Sequence, residues 1–172
     1  LVIAAILLVL ALDNRLTVTN YTINSEKITQ PIRFVLIADL HSCKYGEQQQ
    51  ELITEIKAAA PDLILLAGDI ADDNMPHQGT IELLAGIAST YRCYYVTVNH
   101  EFWSGEVDAI KDMFSQYGVT VLAGDCVTED VSGQLVDIGG VDDPVTGELT
   151  FSQQLDAVSA ASQAERLIIL LS

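Results

Sequence analysis

Three apolar runs, each closed by a polar residue and set thirty residues apart, constrain this chain more than any other feature. Arg33-Phe34-Val35-Leu36-Ile37-Ala38 leads into Asp39, Leu63-Ile64-Leu65-Leu66-Ala67 into Gly68-Asp69, and Tyr94-Tyr95-Val96-Thr97 into Val98-Asn99. Unbroken runs of aliphatic and β-branched residues, without polar alternation, belong to strands buried on both faces. Between them, apolar residues recur at spacings of three and four over 47–60, 78–90 and 102–117, which predicts helices. Pro61 closes the first and Gly118 follows the third. The intervals, 69 − 39 = 30 and 99 − 69 = 30, are each one strand-helix unit. Such alternation predicts an α/β fold with a largely parallel sheet covered by helices.

The flanking sequence adds further elements. Val119-Thr120-Val121-Leu122 and the stretch 134–139 read as strands, 151–164 as a helix, and Leu167-Ile168-Ile169-Leu170-Leu171 as a buried strand. Polar-apolar alternation over Leu16-Thr17-Val18-Thr19-Asn20-Tyr21-Thr22-Ile23 predicts an antiparallel or edge strand. Leu1 to Leu12 is an unbroken apolar run, shorter than the roughly 20 residues that span a bilayer. It reads as the end of a transmembrane anchor, as the core of a signal segment, or as a buried element. The expected organisation is a membrane or signal segment at 1–12 and one folded domain at 13–172, with the final strand cut short in mid-domain.

Composition narrows the function classes. The 172 residues suit a single domain. Their 49% apolar content is enough for a core and excludes disorder. With 24 acidic against 8 basic residues the net charge is −16, which excludes binding along a nucleic-acid backbone. Cys43, Cys93 and Cys126 form no CxxC pair, which excludes a disulfide framework or a zinc knuckle.

The polar residues stand where a parallel sheet does chemistry, at the carboxyl ends of its strands. Asp39, Asp69 and Asn99 close the three strands, and His41 and His100 accompany them. Asp39-Leu40-His41 sends its two side chains to one side of an extended segment. Singly, each Asp would read as a turn former or helix cap. Together, carboxylates, imidazole and amide suit a divalent cation of mixed N/O preference, such as Mn, Fe or Zn. No Gly-rich phosphate loop follows the first strand, which argues against a nucleotide-binding module.

Asp39-x-His41, Gly68-Asp69-x-x-Asp72 and Asn99-His100-Glu101, in this order, resemble the first three signatures of the calcineurin-like metallophosphoesterases, in particular their membrane-associated bacterial branch. The resemblance implies a β-sandwich of two mixed sheets flanked by helices, with the second sheet incomplete here. It also implies two divalent metal ions and hydrolysis of phosphate mono- or diesters, outside the cytoplasm or, alternatively, within it. By the same resemblance Asp39 and His41 bind the first metal, Asp69 bridges the two and Asn99 binds the second. His100 lies beside the phosphate, held by a hydrogen bond to Asp72. Two features depart from the pattern. Val98 stands where the family has Gly, and no His follows Glu101. The first is expected to tilt Asn99 and His100, and the second to leave the metal site incomplete. A degenerate, non-catalytic binding or structural module is therefore the alternative. The remaining readings are plain: Asp125 in a turn, His77 solvated, and Phe102 and Trp103 either walling the pocket or packing at a helix start. The oligomeric state is left open.

Overall fold

The computed structural model describes residues 15–143 and 149–172. The apolar run 1–12 and Pro144 lie outside them. Four strands form the first sheet: β1 (Phe34–Ile37), β2 (Leu63–Ala67), β3 (Arg92–Val96) and β4 (Thr120–Val121). They lie in the order β1-β2-β3-β4, and every pair is parallel. The second sheet holds β5 (Asp125–Val131), β6 (Gln134–Gly140) and β7 (Leu167–Leu171). There β5 pairs antiparallel with β6, and β7 pairs parallel with β6. The helices are α1 (Gln50–Ala59), α2 (Gln78–Ile87), α3 (Asn99–Trp103), α4 (Val107–Gln116) and α5 (Phe151–Ala161). Two sheets with flanking helices agree with the expected architecture, and only the second sheet is mixed.

The continuous apolar sequence of β2 follows from its position between two cores. Ile64 and Leu66 point to the helix side, where they join Leu52, Ile56, Leu83, Leu84, Ile110 and Phe114. Leu63 and Leu65 point to the other side, where Tyr94 and Val96 meet Val136, Ile138 and Leu171 of the second sheet. Period-two alternation is thus present, but both faces are dry. Leu52 and Ile56 of α1, four residues apart, present one apolar stripe to the first core. The helix ends at Ala60 in a left-handed conformation (φ 46°), just before Pro61.

Several expectations are corrected. Residues 16–23 form no strand: Val18, Tyr21 and Ile23 are exposed, and only Leu16 packs on the core. Alternation alone did not supply a partner edge, and an unpaired strand is not stable. The single helix expected over 102–117 is two, α3 and α4, broken around Gly105 (φ 72°). Asp125 begins β5, although its carboxylate still accepts from Ala123 N at 3.2 Å in the preceding turn. The strand β7 is buried on one face only, with Ile168 and Leu170 exposed. Among the described residues no helix is long and apolar enough to cross a membrane.

The two sheets touch closely at Gly140. A β-carbon there would lie 2.4 Å from Leu122 Cβ and 2.6 Å from Val96 Cγ1. The first contact is next to backbone and cannot swing away. Gly140→Ala is therefore expected to destabilise the protein by about 1–3 kcal/mol, read as a lower urea midpoint with an unchanged m-value.

Candidate metal centre

The strand ends β1, β2 and β3 release three loops side by side, and the loops stay in register beyond the sheet. Asp39 N donates to Gly68 O (3.2 Å), His41 N to Asp69 O (2.8 Å) and Ser42 N to Ile70 O (3.0 Å). These bonds carry the β1-β2 pairing on to the residues with chemistry. The path is strained. Asp39, His41, Ser42 and Asp69 all have positive φ (51°, 47°, 54° and 49°) without being glycine. Each such residue costs about 1–3 kcal/mol and persists only where its surroundings over-determine it.

The surroundings do so. Ser42 Oγ meets Thr80 Oγ1 at 3.1 Å, and Thr80 Oγ1 donates to Ile70 O at 2.8 Å. The buried Gln49 donates to Cys43 O and Gly79 O and accepts from Tyr45 N. Gly79 lets α2 come this close, since a β-carbon there would lie 2.1 Å from Ser42 O.

On the third side stands Glu101, fully buried in α3. Its Oε1 accepts from Ile70 N (2.8 Å) and Ala71 N (3.2 Å), and its Oε2 from Val98 N (3.0 Å) and Asp69 N (3.1 Å). One carboxylate thereby fixes the loop after β2 to the loop after β3. Burial pushes the Glu101 carboxyl up, against the opposing pull of these amides.

Two groups of donors result. Ligand atoms of Asp39, His41 and Asp69 lie within 4.8 Å of one another, as do those of His41, Asp72 and His100. His41 belongs to both. Its ring meets that of His100 edge-on, with centroids 4.6 Å apart. Asp69 is 8% exposed, and its Oδ1 accepts from His100 N at 3.1 Å. Asn99 is half-buried at the start of α3, beside His100. The donor set of carboxylates and imidazoles fits a divalent cation of intermediate hardness.

The histidines are not supported as expected. Asp72 Oδ2 faces His41 Nδ1 at 3.1 Å, while Asp73 Oδ1 faces His100 Nδ1 at 2.8 Å. Asp73, not Asp72, thus holds His100. Asp72 Oδ1 accepts from Asn74 N and Met75 N (both 2.8 Å), which turns Asp72 toward His41. Burial alone would raise the Asp72 carboxyl, but these two amides and His41 together hold it low. The Asp73 hydrogen bond holds the His100 imidazole above its usual range, against a smaller effect of burial.

Val98 does not strain its loop. It is extended (φ −131°, ψ −161°), a conformation open to any residue, and its methyl groups fill the space left by the missing side chain of Gly68. His77 is half-buried, with Nε2 3.0 Å from Asp72 O, and is not simply solvated. Asp142 is structural: its carboxylate takes Lys111 Nζ (2.6 Å) and the buried Thr97 hydroxyl.

Asp73 and the role of Glu101 were not read from the sequence. Nothing in the sequence separates Asp73 from its neighbour Asp72. Glu101 carried a signal, an acid at the third position of a helix after a strand, where a carboxylate reaches back to a preceding amide.

A family model for calcineurin-like phosphoesterases matches residues 32–158. An uncharacterised metallophosphoesterase of Helicobacter pylori is 26% identical over 105 residues, covering 59% of this chain and 28% of that protein. One of Campylobacter jejuni is 23% identical over 150 residues, covering 83% and 39%. A transmembrane protein with a metallophosphoesterase domain from Danio rerio is 24% identical over 131 residues, covering 71% and 30%. The chain spans less than half the length of each of these relatives.

Two outcomes test the supports. Asp73→Asn should return the His100 titration midpoint toward the ordinary value near 6.5, read by ring-proton NMR, and should do so by more than Asp72→Asn. Because the folded value is raised, the His100–Asp73 pair contributes stability below pH about 6.5 and loses it as pH rises through the folded value. Glu101→Gln turns an amide NH2 toward backbone donors and should cost about 2–3 kcal/mol in chemical denaturation, although the side chains are nearly the same size.

Proposed function

The chain belongs to the calcineurin-like phosphoesterases, and from this premise we propose that it hydrolyses phosphate mono- or diesters with the help of two divalent cations. The observation that carries the reading is the cluster of Asp39, His41 and Asp69, with His100 beside it, at the ends of three adjacent parallel strands. Asp39, His41 and Asp69 would hold the first cation, and Asp69 and Asn99 would hold the second. When bound, the cations would polarise the phosphate and supply a hydroxide at neutral pH. Asn99 gives an oxygen without adding negative charge to an acidic site.

His100 is the acid for the departing oxygen. The Asp73 hydrogen bond favours the charged form of its ring and fixes which nitrogen faces outward. Asp72 positions His41 rather than His100. The relaxed backbone at Val98 and its fit against Gly68 favour the catalytic reading over a degenerate binding module. The apolar run 1–12 supports attachment of the domain to a membrane, which pelleting of the protein with membranes after carbonate washing would check.

The test is hydrolysis of bis(p-nitrophenyl) phosphate by the manganese-loaded protein, with metal content measured beside it. Asp69→Asn should lower kcat/KM by more than about a hundredfold, beyond the 10–100-fold typical of losing an outer support, and should lower the bound metal. A wild-type protein that binds manganese but cleaves neither mono- nor diesters would leave only the non-catalytic alternative.

A further inference from the structure

The chain has a single tryptophan, and it stands at the mouth of the candidate centre. Trp103 is 63% exposed, yet its ring lies against His100, with centroids 4.9 Å apart and planes tilted by 57°. The spacing of three residues in α3 puts both side chains on one face. His100 in turn meets His41 at 4.6 Å. The rings of His41, His100 and Trp103 therefore form a row that begins among the metal donors and ends in solvent.

The neighbouring Phe102 does something else. It is half-buried, with Lys111 Nζ 5.6 Å from its ring centroid. Phe102 thus packs between α3 and α4, while the indole of Trp103 keeps most of its surface open.

We propose that Trp103 is the platform for the leaving group, and that the site prefers esters whose ester oxygen carries a flat aromatic group. The inference rests on the phosphoesterase reading. In hydrolysis, water adds its oxygen to phosphorus, the ester P–O bond breaks and the departing oxygen receives a proton. If His100 gives that proton, the group attached to the oxygen must lie next to His100. The indole of Trp103 is an exposed surface beside His100. An aromatic ring gains from lying on or against it, in offset or edge-to-face contact, whereas a methyl group has too little area to do so.

The test compares phenyl phosphate with methyl phosphate as substrates of the manganese-loaded protein. The ratio of their kcat/KM values should fall about tenfold in Trp103→Leu, the size expected for one ring-on-ring contact. A ratio within twofold of the wild-type value overturns the proposal. Trp103 is 63% exposed, so its replacement removes little buried surface.

A second measurement does not need turnover. Tryptophan emission in the wild-type protein reports on Trp103 alone. It should shift on addition of phenylphosphonate and stay still on addition of methylphosphonate. The same response to both, or to neither, overturns the platform. Failure to hydrolyse these monoesters and bis(p-nitrophenyl) phosphate alike overturns the phosphoesterase reading instead, and the emission result still decides the role of Trp103.

Discussion

The carboxylate of Glu101 is the contact on which the site depends. It spends all its accepting capacity on the amides of Asp69, Ile70, Ala71 and Val98. Two loops that share no strand hydrogen bonds at that point become one unit. Asp69 comes from the first of these loops and His100 from the second. Their own contact, His100 N to Asp69 Oδ1 at 3.1 Å, joins the same two loops. A neutral side chain could not replace this, because an amide offers one acceptor oxygen where two are needed.

Rigidity of this kind makes the strain at Asp39, His41, Ser42 and Asp69 tolerable. A left-handed residue relaxes if its loop is free to do so. Here the loop after β1 is bonded to the loop after β2 through three backbone hydrogen bonds, and to α2 through Ser42, Thr80 and Gln49. The energy held in the backbone is matched by packing and hydrogen bonds away from the donors. The donors are then aimed by the fold rather than by a ligand.

The sheet was legible in the sequence because β1, β2 and β3 are buried on both faces and so are apolar throughout. The donors were legible because they follow those strands at equal intervals. Weaker elements were lost for a common reason: their structure depends on partners distant in sequence. The alternation at 16–23 found no edge to join. The whole of β5 was missed, because Asp125 reads as a turn residue and its strand is defined only by pairing with β6. The break between α3 and α4 was masked by a continuous apolar period. The choice between Asp72 and Asp73 for His100 is a matter of loop direction. That direction is set by two amides capturing Asp72 Oδ1, and no side-chain pattern reports it.

Charge connects the site to the rest of the molecule. Asp39, Asp69, Asp72 and Asp73 converge in a protein of net charge −16. Hydrogen bonds from His41, His100 and backbone amides offset part of their repulsion. The proposed cations would offset the rest, and would stabilise the folded chain by mass action because the unfolded chain has no such cluster. Two divalent cations, +4 in all, would also cancel the −4 of these four carboxylates. An anionic phosphate would then be drawn to the ends of β1, β2 and β3, while the acidic surface around them repels longer polyanions. An acidic protein acting on a small anion is thus consistent, with the positive charge carried by bound metal rather than by lysine or arginine.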